Sequence, residues 1–320
     1  MTYTKIILLA IVLLYISAKE CGPGYGKCKH DECCSKYGWC GSSSEYCGSG
    51  CQPDYGKCSG SSGSKKKKKK EKKEESKEEE KEDSHDSGEY PNISSNPTYS
   101  KVKNVNELSG LSLSEDGSFL WGVGDSGDLV KISTSDYSVT KVKYFDDDTE
   151  GVTIHRETGD LIISLEPNKV SRVTKSSGFT KMETLFKIAD AKNFGNSGLE
   201  GIAYYKNNEV WVGSQEGPYL WRVNLNGEIK EKIKLKSLVS GITEVAGLCY
   251  DVKRDRLWII DSNECKIFLL SGDAKKHLKT YKLPHIGNAE SLSVDHIHNV
   301  IWVGDDSSTS KLYKFEVTNL

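Results

Sequence analysis

The sequence of 320 residues lacks a charge excess, a long apolar run outside its N-terminus and the common catalytic signatures. Lys and Arg total 44 against 46 Asp and Glu, so the overall charge points to no class of partner, and no nucleic-acid partner is expected. After residue 20 no segment is apolar enough to span a membrane. No GxSxG, HExxH or phosphate-binding loop occurs, so a nucleophilic hydrolase, a zinc protease and a nucleotide site have no signature here.

The N-terminus contains the long apolar run that the rest of the chain lacks. In MTYTKIILLAIVLLYISAKE, Lys5 is followed by an apolar run over residues 6–16 and then by the small residues Ser17 and Ala18. This order predicts a secretory signal peptide over residues 1–18, because the run is too short for the alternative, a membrane anchor. The mature protein is therefore expected to be secreted, and to be extracellular or associated with a cell wall.

Eight of the ten cysteines lie between Cys21 and Cys58. A segment this short usually needs covalent cross-links in order to fold, and an oxidising compartment turns such cysteines into disulfides. Eight cysteines allow many pairings, and their spacing alone does not select one. A metal cluster is the alternative, but the adjacent Cys33 and Cys34 do not fit a zinc knuckle.

The stretch CGPGYGKCKHDECCSKYGWCGSSSEYCGSGC resembles the hevein-type (type 1) chitin-binding domain in its cysteine order, its CC pair and its CCSxxGWCG…YC core. The resemblance covers residues 21–58, within a domain predicted over residues 19–58. It implies four disulfides: Cys21 with Cys34, Cys28 with Cys40, Cys33 with Cys47, and Cys51 with Cys58. It also implies that chitin or N-acetylglucosamine oligomers bind to Ser35, Tyr37, Trp39 and Tyr46. Tyr37 stands where the best-known members carry tryptophan, and the spacing after Cys47 departs from the plant pattern.

The chemistry of these four residues suits a sugar ligand. Disulfides rather than an apolar core hold so short a backbone, which leaves aromatic rings free to stay at the surface. Sugar rings have apolar C–H faces that stack on aromatic rings, while their hydroxyl and N-acetyl groups need hydrogen bonds, here from Ser35 and the Tyr46 hydroxyl. The alternative is that one ring, such as Tyr37, packs against a disulfide. No carboxylate pair in this module is placed for cleavage of a glycosidic bond.

Residues 59–98 form a predicted linker between this module and the rest of the chain. Between Lys65 and Asp83 there are ten Lys, eight Asp or Glu and no apolar residue, so no core can form. We expect a solvated tether, and the alternative is a basic patch that binds polyanionic wall polymers. The sequence NIS at Asn92 is an N-glycosylation sequon at the end of the linker.

Residues 99–320 contain five repeats. Each repeat is marked by a glutamate, at spacings of 43 to 50 residues: Glu107, Glu150, Glu200, Glu244 and Glu290. A small residue, a short apolar strand, a polar turn and a second strand such as LWGVGD or VWVGSQ follow, and a third strand ends the unit. Strands without a helix pattern indicate an all-β fold, and units of this length favour the four-stranded blades of a β-propeller. Five blades are predicted; the alternatives are a sixth blade, completed by residues 90–106 with the C-terminal strand, and a β-sandwich.

The motifs ELSGL, TEGV, LEGIAY, VAGLCYD and AESLSVD, with SLEPN after one second strand, resemble those of the SdiA-regulated (YjiK-like) β-propeller domain. The resemblance covers residues 100–317. It implies a secreted or surface-associated propeller and makes calcium a candidate cofactor. Similar propellers include phytase-like, esterase-like and strictosidine-synthase-like proteins, so the fold by itself assigns no activity.

A glutamate before each innermost strand would bring five carboxylates together at the mouth of the central channel. Carboxylates so close repel one another unless a cation neutralises them, and calcium is the divalent cation that such oxygen ligands suit best. The alternative is that each Glu caps backbone N–H groups of the neighbouring blade. A second acidic set follows the second strands, either on the same face or as turn residues: Asp125, Glu166, Glu216, Asp261 and Asp305.

The remaining candidate residues have weaker patterns. His155, His296 and His298 lie in turns between first and second strands, where ordinary turn roles are favoured over metal binding. Cys249 and Cys265 are predicted on strands too far apart for a disulfide, and so to be thiols. Two functions are left: a non-catalytic protein anchored to chitin, whose calcium-stabilised propeller recognises an unknown ligand, and a secreted propeller hydrolase of phosphoesterase or esterase type.

Overall fold

The computed structural model describes residues 21, 27–29, 32–36, 39–48, 51–58, 90–193, 197–284 and 286–320. The chain divides into two compact units, residues 1–81 and 82–320. The predicted signal peptide, residues 59–89 of the predicted linker, and Tyr37 lie outside the described residues. Within the described ranges, no helix has the length and apolar character needed to cross a membrane.

The small unit has little regular secondary structure and is held by disulfides. Its elements are the antiparallel strands β1 (Cys33–Cys34) and β2 (Cys40–Gly41) and one helical turn, α1 (Ser44–Cys47). Four disulfides have the connectivity that the hevein resemblance implies: Cys21 to Cys34, Cys28 to Cys40, Cys33 to Cys47 and Cys51 to Cys58. The buried Cys33 and Cys34 put sulfur at the centre of the unit.

The large unit is a β-propeller of five antiparallel sheets. Two short strands come first, β3 (Asn92–Ile93) and β4 (Thr98–Lys101). The first blade contains β5 (Leu108–Leu113), β6 (Phe119–Gly124), β7 (Asp128–Ser133) and β8 (Val139–Tyr144). The second contains β9 (Thr149–Ile154), β10 (Leu161–Leu165), β11 (Lys169–Val173) and β12 (Met182–Lys187). The third contains β13 (Leu199–Tyr204), β14 (Glu209–Ser214), β15 (Tyr219–Asn224) and β16 (Ile229–Lys234).

The last two blades bring the chain back to its start. The fourth contains β17 (Gly247–Asp251), β18 (Arg256–Asp261), β19 (Lys266–Ser271) and β20 (His277–Lys282). The fifth contains β21 (Ala289–Asp295), β22 (Val300–Asp305) and β23 (Lys311–Thr318). Three 3-10 helices lie in connections: Lys175–Ser177, Ala189–Asn193 and Leu235–Ser237. The first strand of each blade is innermost, and β5, β9, β13, β17 and β21 are neighbours around the central axis.

The N-terminal strands complete the fifth blade. Strand β4 pairs antiparallel with β23, with Lys101 opposite Lys311, and β3 pairs with the end of the same strand. This segment therefore closes the five-bladed ring and forms no sixth blade. It also moves the predicted linker boundary, because residues 90–98 belong to the propeller: the Tyr281 hydroxyl donates to the Pro91 carbonyl at 2.9 Å. The sequon residue Asn92 is exposed in β3.

The core lies between blades. Each of five apolar clusters joins two adjacent blades; in one, Trp121 and Leu129 of the first blade pack with Val152 and Leu161 of the second. Because neighbouring blades cover both faces of a sheet, second strands such as LWII are continuous apolar runs rather than alternating ones. The largest fully buried side chains are tryptophans: Trp211, Trp221, Trp258 and Trp302.

Small residues bring the five inner strands together at one level of the axis. We call this level the waist, and it is formed by Gly110, Gly151, Gly201, Gly247 and Ser291. A Cβ atom at Gly151 would lie 2.5 Å from the carbonyl oxygen of Glu200, and one at Gly247 would lie 2.3 Å from that of Glu290. The space enclosed at the waist is about 10 Å³, which is at the lower limit for one water molecule. The waist therefore separates the two ends of the channel.

Candidate functional site

Ser35 and Trp39 of the small unit are joined by backbone hydrogen bonds. The Trp39 N–H donates to the Ser35 hydroxyl oxygen at 3.2 Å, and the Ser35 N–H donates to the Trp39 carbonyl at 2.9 Å. The Gln52 side-chain amide donates to the Ser35 carbonyl at 2.8 Å. Trp39 is 40% exposed, whereas Ser35 is only 3% exposed. Ser35 therefore fixes the turn that presents the Trp39 ring to solvent.

Tyr46 lies beside the strand that follows Trp39. It belongs to α1, is half-buried, and packs so closely on β2 that a Cβ atom at Gly41 would be 2.5 Å from its ring. Only glycine at position 41 leaves room for the ring. The structure thus gathers Ser35, Trp39 and Tyr46 on a frame held by the disulfides of Cys34, Cys40 and Cys47, while the fourth predicted residue, Tyr37, is outside the described residues.

Five carboxylates meet at the end of the propeller channel where the inner strands begin. Glu150 and Glu200 are the second residues of β9 and β13, directly before the waist, and Glu166 directly follows β10. One carboxylate oxygen from each of these three lies within 4.8 Å of the others, and Glu150 forms a similar group with Asp125 and Asp148. We call these five residues the acidic cluster.

The sequence predicts four members of the acidic cluster, in two separate sets, and the structure joins the sets. Glu150 and Glu200 come from the repeated glutamates, and Asp125 and Glu166 come from the set after the second strands. Asp148 is the member that sequence reasoning misses. Its signal is the run DDD directly before β9, which puts an aspartate two residues from Glu150.

The five predicted glutamates do not share one register, which corrects the expectation of five equivalent carboxylates. Three of them directly precede a waist residue: Glu150, Glu200 and Glu290. In the first and fourth blades, the residues directly before the waist are Ser109 and Ala246. The predicted glutamates of these two blades, Glu107 and Glu244, lie two residues before Ser109 and Ala246. This offset is not visible in the sequence. The loops between blades differ in length, so the glutamates are almost evenly spaced along the chain although their positions relative to the waist differ.

Outside the cluster, the predicted glutamates have other surroundings. Glu244 caps a turn of its own blade, where the Asn263 backbone N–H and side-chain amide donate to it at 2.9 and 2.5 Å. Glu244 therefore caps its own blade, and not the neighbouring blade as the alternative expects. Glu290 faces Asp306 and adjoins the cluster, because burial, followed by the charges of Asp306 and Glu150, raises the pKa of Glu290 to about 10. Glu107 is half-buried in a left-handed backbone conformation, with a φ of 55°.

Burial and mutual repulsion raise the pKa values in the acidic cluster. Burial raises the pKa of Glu150 to about 9, with further contributions from the charges of Asp125, Glu166 and Asp148. Burial, followed by the charge of Glu150, raises the pKa of Glu200 well above its usual value. Asp148 lies at the exposed edge of the cluster, and loss of water around its carboxyl group and the nearby Asp125 raise its pKa to about 7. The cluster therefore resists ionisation unless a cation neutralises it.

Hydrogen bonds fix the backbone around the acidic cluster. The Gly198 N–H donates to a Glu166 carboxylate oxygen at 2.8 Å. The Gly151 N–H donates to the Ser164 hydroxyl oxygen at 2.9 Å, and that hydroxyl donates to the Glu200 carbonyl of the next blade. These bonds tie the second and third blades together directly beneath the carboxylates, so the cluster cannot relieve its repulsion by spreading.

The cluster fits a calcium ion by its chemistry and its dimensions. Its donors are all carboxylate oxygens, which hard cations prefer, and calcium–oxygen distances are about 2.3–2.6 Å. Two ligands on opposite sides of such an ion are therefore about 4.6–5.2 Å apart, which accommodates the 4.8 Å limit found for Glu150, Glu166 and Glu200. Among the described residues, no Lys or Arg forms an ion pair with these three glutamates.

The other predicted residues have structural partners away from the acidic cluster. Asp261 caps a turn, where it accepts the Thr243 and Glu264 N–H groups at 2.7 and 3.0 Å; Glu216 is exposed, and Asp305 lies 3.9 Å from Lys311. The three histidines form hydrogen bonds with side chains at the opposite end of the channel: His155 with Asn208, His296 with Asp251, and His298 with Asp295. Cys249 and Cys265 carry thiols rather than a disulfide.

Comparison with known proteins identifies the small unit. Residues 20–58 match the family described as chitin recognition protein. The chain is 52% identical over 60 residues to endochitinase A2 of Pisum sativum, covering 18% of each chain. It is 45% identical over 60 residues to chitinase 1 of Oryza sativa subsp. japonica (18% of each) and 52% identical over 40 residues to a chitin deacetylase of Pestalotiopsis sp (12% of this chain, 13% of that one). The match spans less than a fifth of the length of these relatives, and the small unit is a hevein-type chitin recognition domain.

The propeller has its own matches. Among solved structures, the chain is similar to a streptogramin B lyase, with 16% identity and a TM-score of 0.43 over 69% of this chain and 73% of that chain. It is also similar to a luciferin-regenerating enzyme, with 12% identity and a TM-score of 0.45 over 69% and 95%. Because both TM-scores are below 0.5, these two similarities carry no information about activity. Residues 94–304, more than half of the chain, match the family described as SdiA-regulated. The chain therefore belongs to the SdiA-regulated family.

Proposed function

We propose that this is a secreted chitin-binding protein whose small unit attaches it to N-acetylglucosamine oligomers and whose propeller is a calcium-stabilised recognition domain. The observation that carries the proposal is the exposed Trp39 ring on a disulfide frame that matches the chitin recognition family. Trp39 and Tyr46 stack on the apolar faces of the sugar, and the Tyr46 hydroxyl binds its polar groups. Ser35 acts by positioning Trp39.

Retention on chitin beads tests the sugar-binding surface. We expect the full chain to be retained and Trp39→Ala to be lost, because stacking on this ring supplies much of the contact. The matched control is Tyr99→Ala, which removes an exposed aromatic ring from the propeller, where Tyr99 is 58% exposed. Equal retention of Trp39→Ala and the full chain would show that the surface is wrongly assigned.

For the propeller, we propose that the acidic cluster holds calcium through Glu150, Glu166 and Glu200, with Asp125 and Asp148 at its edge. Calcium would neutralise the charges that the structure concentrates there, and its binding would stabilise the folded state by mass action. Titration of the full chain with calcium at pH 8, followed by calorimetry, should give saturable binding that Glu150→Gln abolishes. Glu216→Gln removes an exposed carboxylate that follows a second strand and should bind like the parent. If Glu150→Gln bound calcium as the parent does, the acidic cluster would not be the calcium site.

A second candidate is a secreted propeller hydrolase of phosphoesterase or esterase type, brought to chitinous surfaces by the small unit. The observation that favours it is the spread of pKa values in one cluster, about 9 for Glu150 and about 7 for Asp148, which suits an acid and a base near neutral pH. A panel of phosphate ester, carboxylic ester and glycan substrates, with and without calcium, separates the candidates. Turnover that Glu150→Gln abolishes supports the hydrolase, and no turnover on any substrate contradicts it.

A further inference from the structure

The channel opens into a cavity at the end opposite the acidic cluster. This cavity, which we call the funnel, has a volume of about 420 Å³. Apolar side chains line it from the C-terminal parts of four inner strands and from one turn: Leu113, Val152, Ile154, Leu248, Val294 and Ile297. Serine and threonine side chains of the same strands lie between them. The waist closes its inner end, so the funnel is a blind pocket and not a pore. Its volume lies in the range of about 300–1,000 Å³ that is typical of small-molecule sites.

An arginine lies across the funnel. Arg156 belongs to the turn after β9 of the second blade, yet its guanidinium donates to the Tyr250 carbonyl of the fourth blade at 3.3 Å. The side chain therefore connects two blades that are not adjacent in the ring. A guanidinium has several N–H donors, and this bond occupies one of them. Among the described residues Arg156 has no ion-pair partner, so its charge is available to a ligand in the funnel.

The charged groups beside Arg156 have other partners. Glu157, whose charge acts on Arg156, accepts the Tyr204 hydroxyl and lies 3.2 Å from His155 Nδ1. His296 is held between Asp251, at 2.7 Å, and Arg254, at 3.3 Å. Glu115 also lines the funnel, but it comes from the turn of the first blade, whereas Arg156 reaches from the second blade to the fourth. The funnel thus has apolar and hydroxyl side chains on its walls and the Arg156 guanidinium at its rim.

An apolar side chain, that of Ile297, is exposed to solvent at the rim of the funnel. Ile297 is 56% exposed in the turn between β21 and β22, and it leans over the neighbouring blade, where a Cβ atom at Gly117 would be 2.8 Å from its Cδ1. A single exposed isoleucine is common, but this one continues the apolar wall of the funnel outward. An apolar ligand in the funnel would cover it.

We propose that the funnel binds a small molecule with an apolar body and one carboxylate group. The apolar body fills the blind pocket, and the carboxylate accepts hydrogen bonds from the Arg156 guanidinium at the rim. The proposal does not depend on chitin binding or on calcium, because it rests on residues at the other end of the channel.

The test uses octanoate and its neutral counterpart 1-octanol as probes, titrated into the full chain by calorimetry. We expect octanoate to bind at one site and Arg156→Gln to weaken it about tenfold, the effect of losing a charge-assisted hydrogen bond, while 1-octanol binding stays unchanged. Ile297→Ser should weaken both probes about threefold, because it removes apolar contact at the rim. Lys236→Gln is the control, since it removes one exposed positive charge far from the funnel.

Several outcomes would overturn the proposal. One is the absence of saturable octanoate binding to the parent, and another is equal affinity of Arg156→Gln and Lys236→Gln for octanoate. Displacement of octanoate by N-acetylglucosamine trimer would place the probe on the small unit instead. Arg156 is exposed, so its replacement should leave the melting temperature unchanged, which separates a lost contact from a lost fold.

Discussion

The acidic cluster makes the stability of the metal-free propeller depend on pH, and replacing Glu150 by Gln isolates this effect. In the folded chain the pKa of Glu150 is raised from 4.5 to about 9. The folded state therefore keeps a proton that the unfolded state releases between these pH values. Without a cation, the stability that this proton provides is fully present below pH 4.5 and is lost as the pH rises toward 9.

The size of the pH effect on stability follows from the shift in the pKa of Glu150. One pH unit inside this window corresponds to about 1.4 kcal/mol, so raising the pH from 5 to 7 lowers the free energy of unfolding by about 3 kcal/mol through Glu150 alone. For a unit of this length, each kcal/mol changes the melting temperature by about 2–4 °C. Glutamine cannot ionise, so between pH 5 and 7 the melting temperature of Glu150→Gln should fall by about 6–12 °C less than that of the parent.

The assay is thermal unfolding of the full chain in buffer with a chelator, followed by circular dichroism at several pH values. Titrating groups outside the acidic cluster cancel in the comparison of parent and variant, whereas Glu200, whose pKa the Glu150 charge raises, contributes to the difference. Glu216→Gln should keep the slope of the parent, because its carboxylate is exposed. Added calcium should raise the melting temperature more at pH 7 than at pH 5, since protons compete with the ion for the carboxylates. Parallel curves for Glu150→Gln and the parent would refute the electrostatic reasoning.

Three further predictions concern the packing of the inner strands, the closure of the propeller ring and the turn that holds Trp39. Gly151→Ala should destabilise the propeller by about 2–4 kcal/mol in urea unfolding, because its Cβ would lie 2.5 Å from the Glu200 carbonyl oxygen; Gly287→Ala, where a Cβ meets nothing within 4 Å, is the comparison for the loss of glycine itself. Deleting residues 90–101 should lower the melting temperature, since β23 loses both of its outer partners, and an unchanged value would mean that the ring closes without them. Ser35→Ala should weaken retention on chitin beads less than Trp39→Ala does, because Ser35 acts through the Trp39 backbone; an equal loss would assign Ser35 a direct contact.

The sequence predicts most of the architecture, because repeated patterns report local structure. The polar turns between apolar strands predict five blades, and the eight cysteines predict a disulfide-held module. The strand pairing that closes the ring cannot be predicted from repeated patterns, because the strand TYSK is short and polar and pairs with a segment more than 200 residues away. For the same reason residues 90–98 look like linker sequence.

The candidate site could be predicted only in part. Carboxylates before inner strands and after second strands are visible as patterns, but their convergence depends on which residue of each strand reaches the waist. The offset of Glu107 and Glu244 shows this: even spacing along the chain does not guarantee an equivalent position in space. Asp148 and Arg156 lie in loops, where no periodicity marks the direction of a side chain, and the contact of Arg156 with the fourth blade has no sequence signal.

The measurement that tests the central claim most directly is a calorimetric titration of the full chain with N-acetylglucosamine trimer. The account predicts saturable binding to the parent protein, a loss of at least tenfold in affinity for Trp39→Ala, and an unchanged affinity for Tyr99→Ala. Absence of binding to the parent, or equal affinities for the parent and Trp39→Ala, would contradict it.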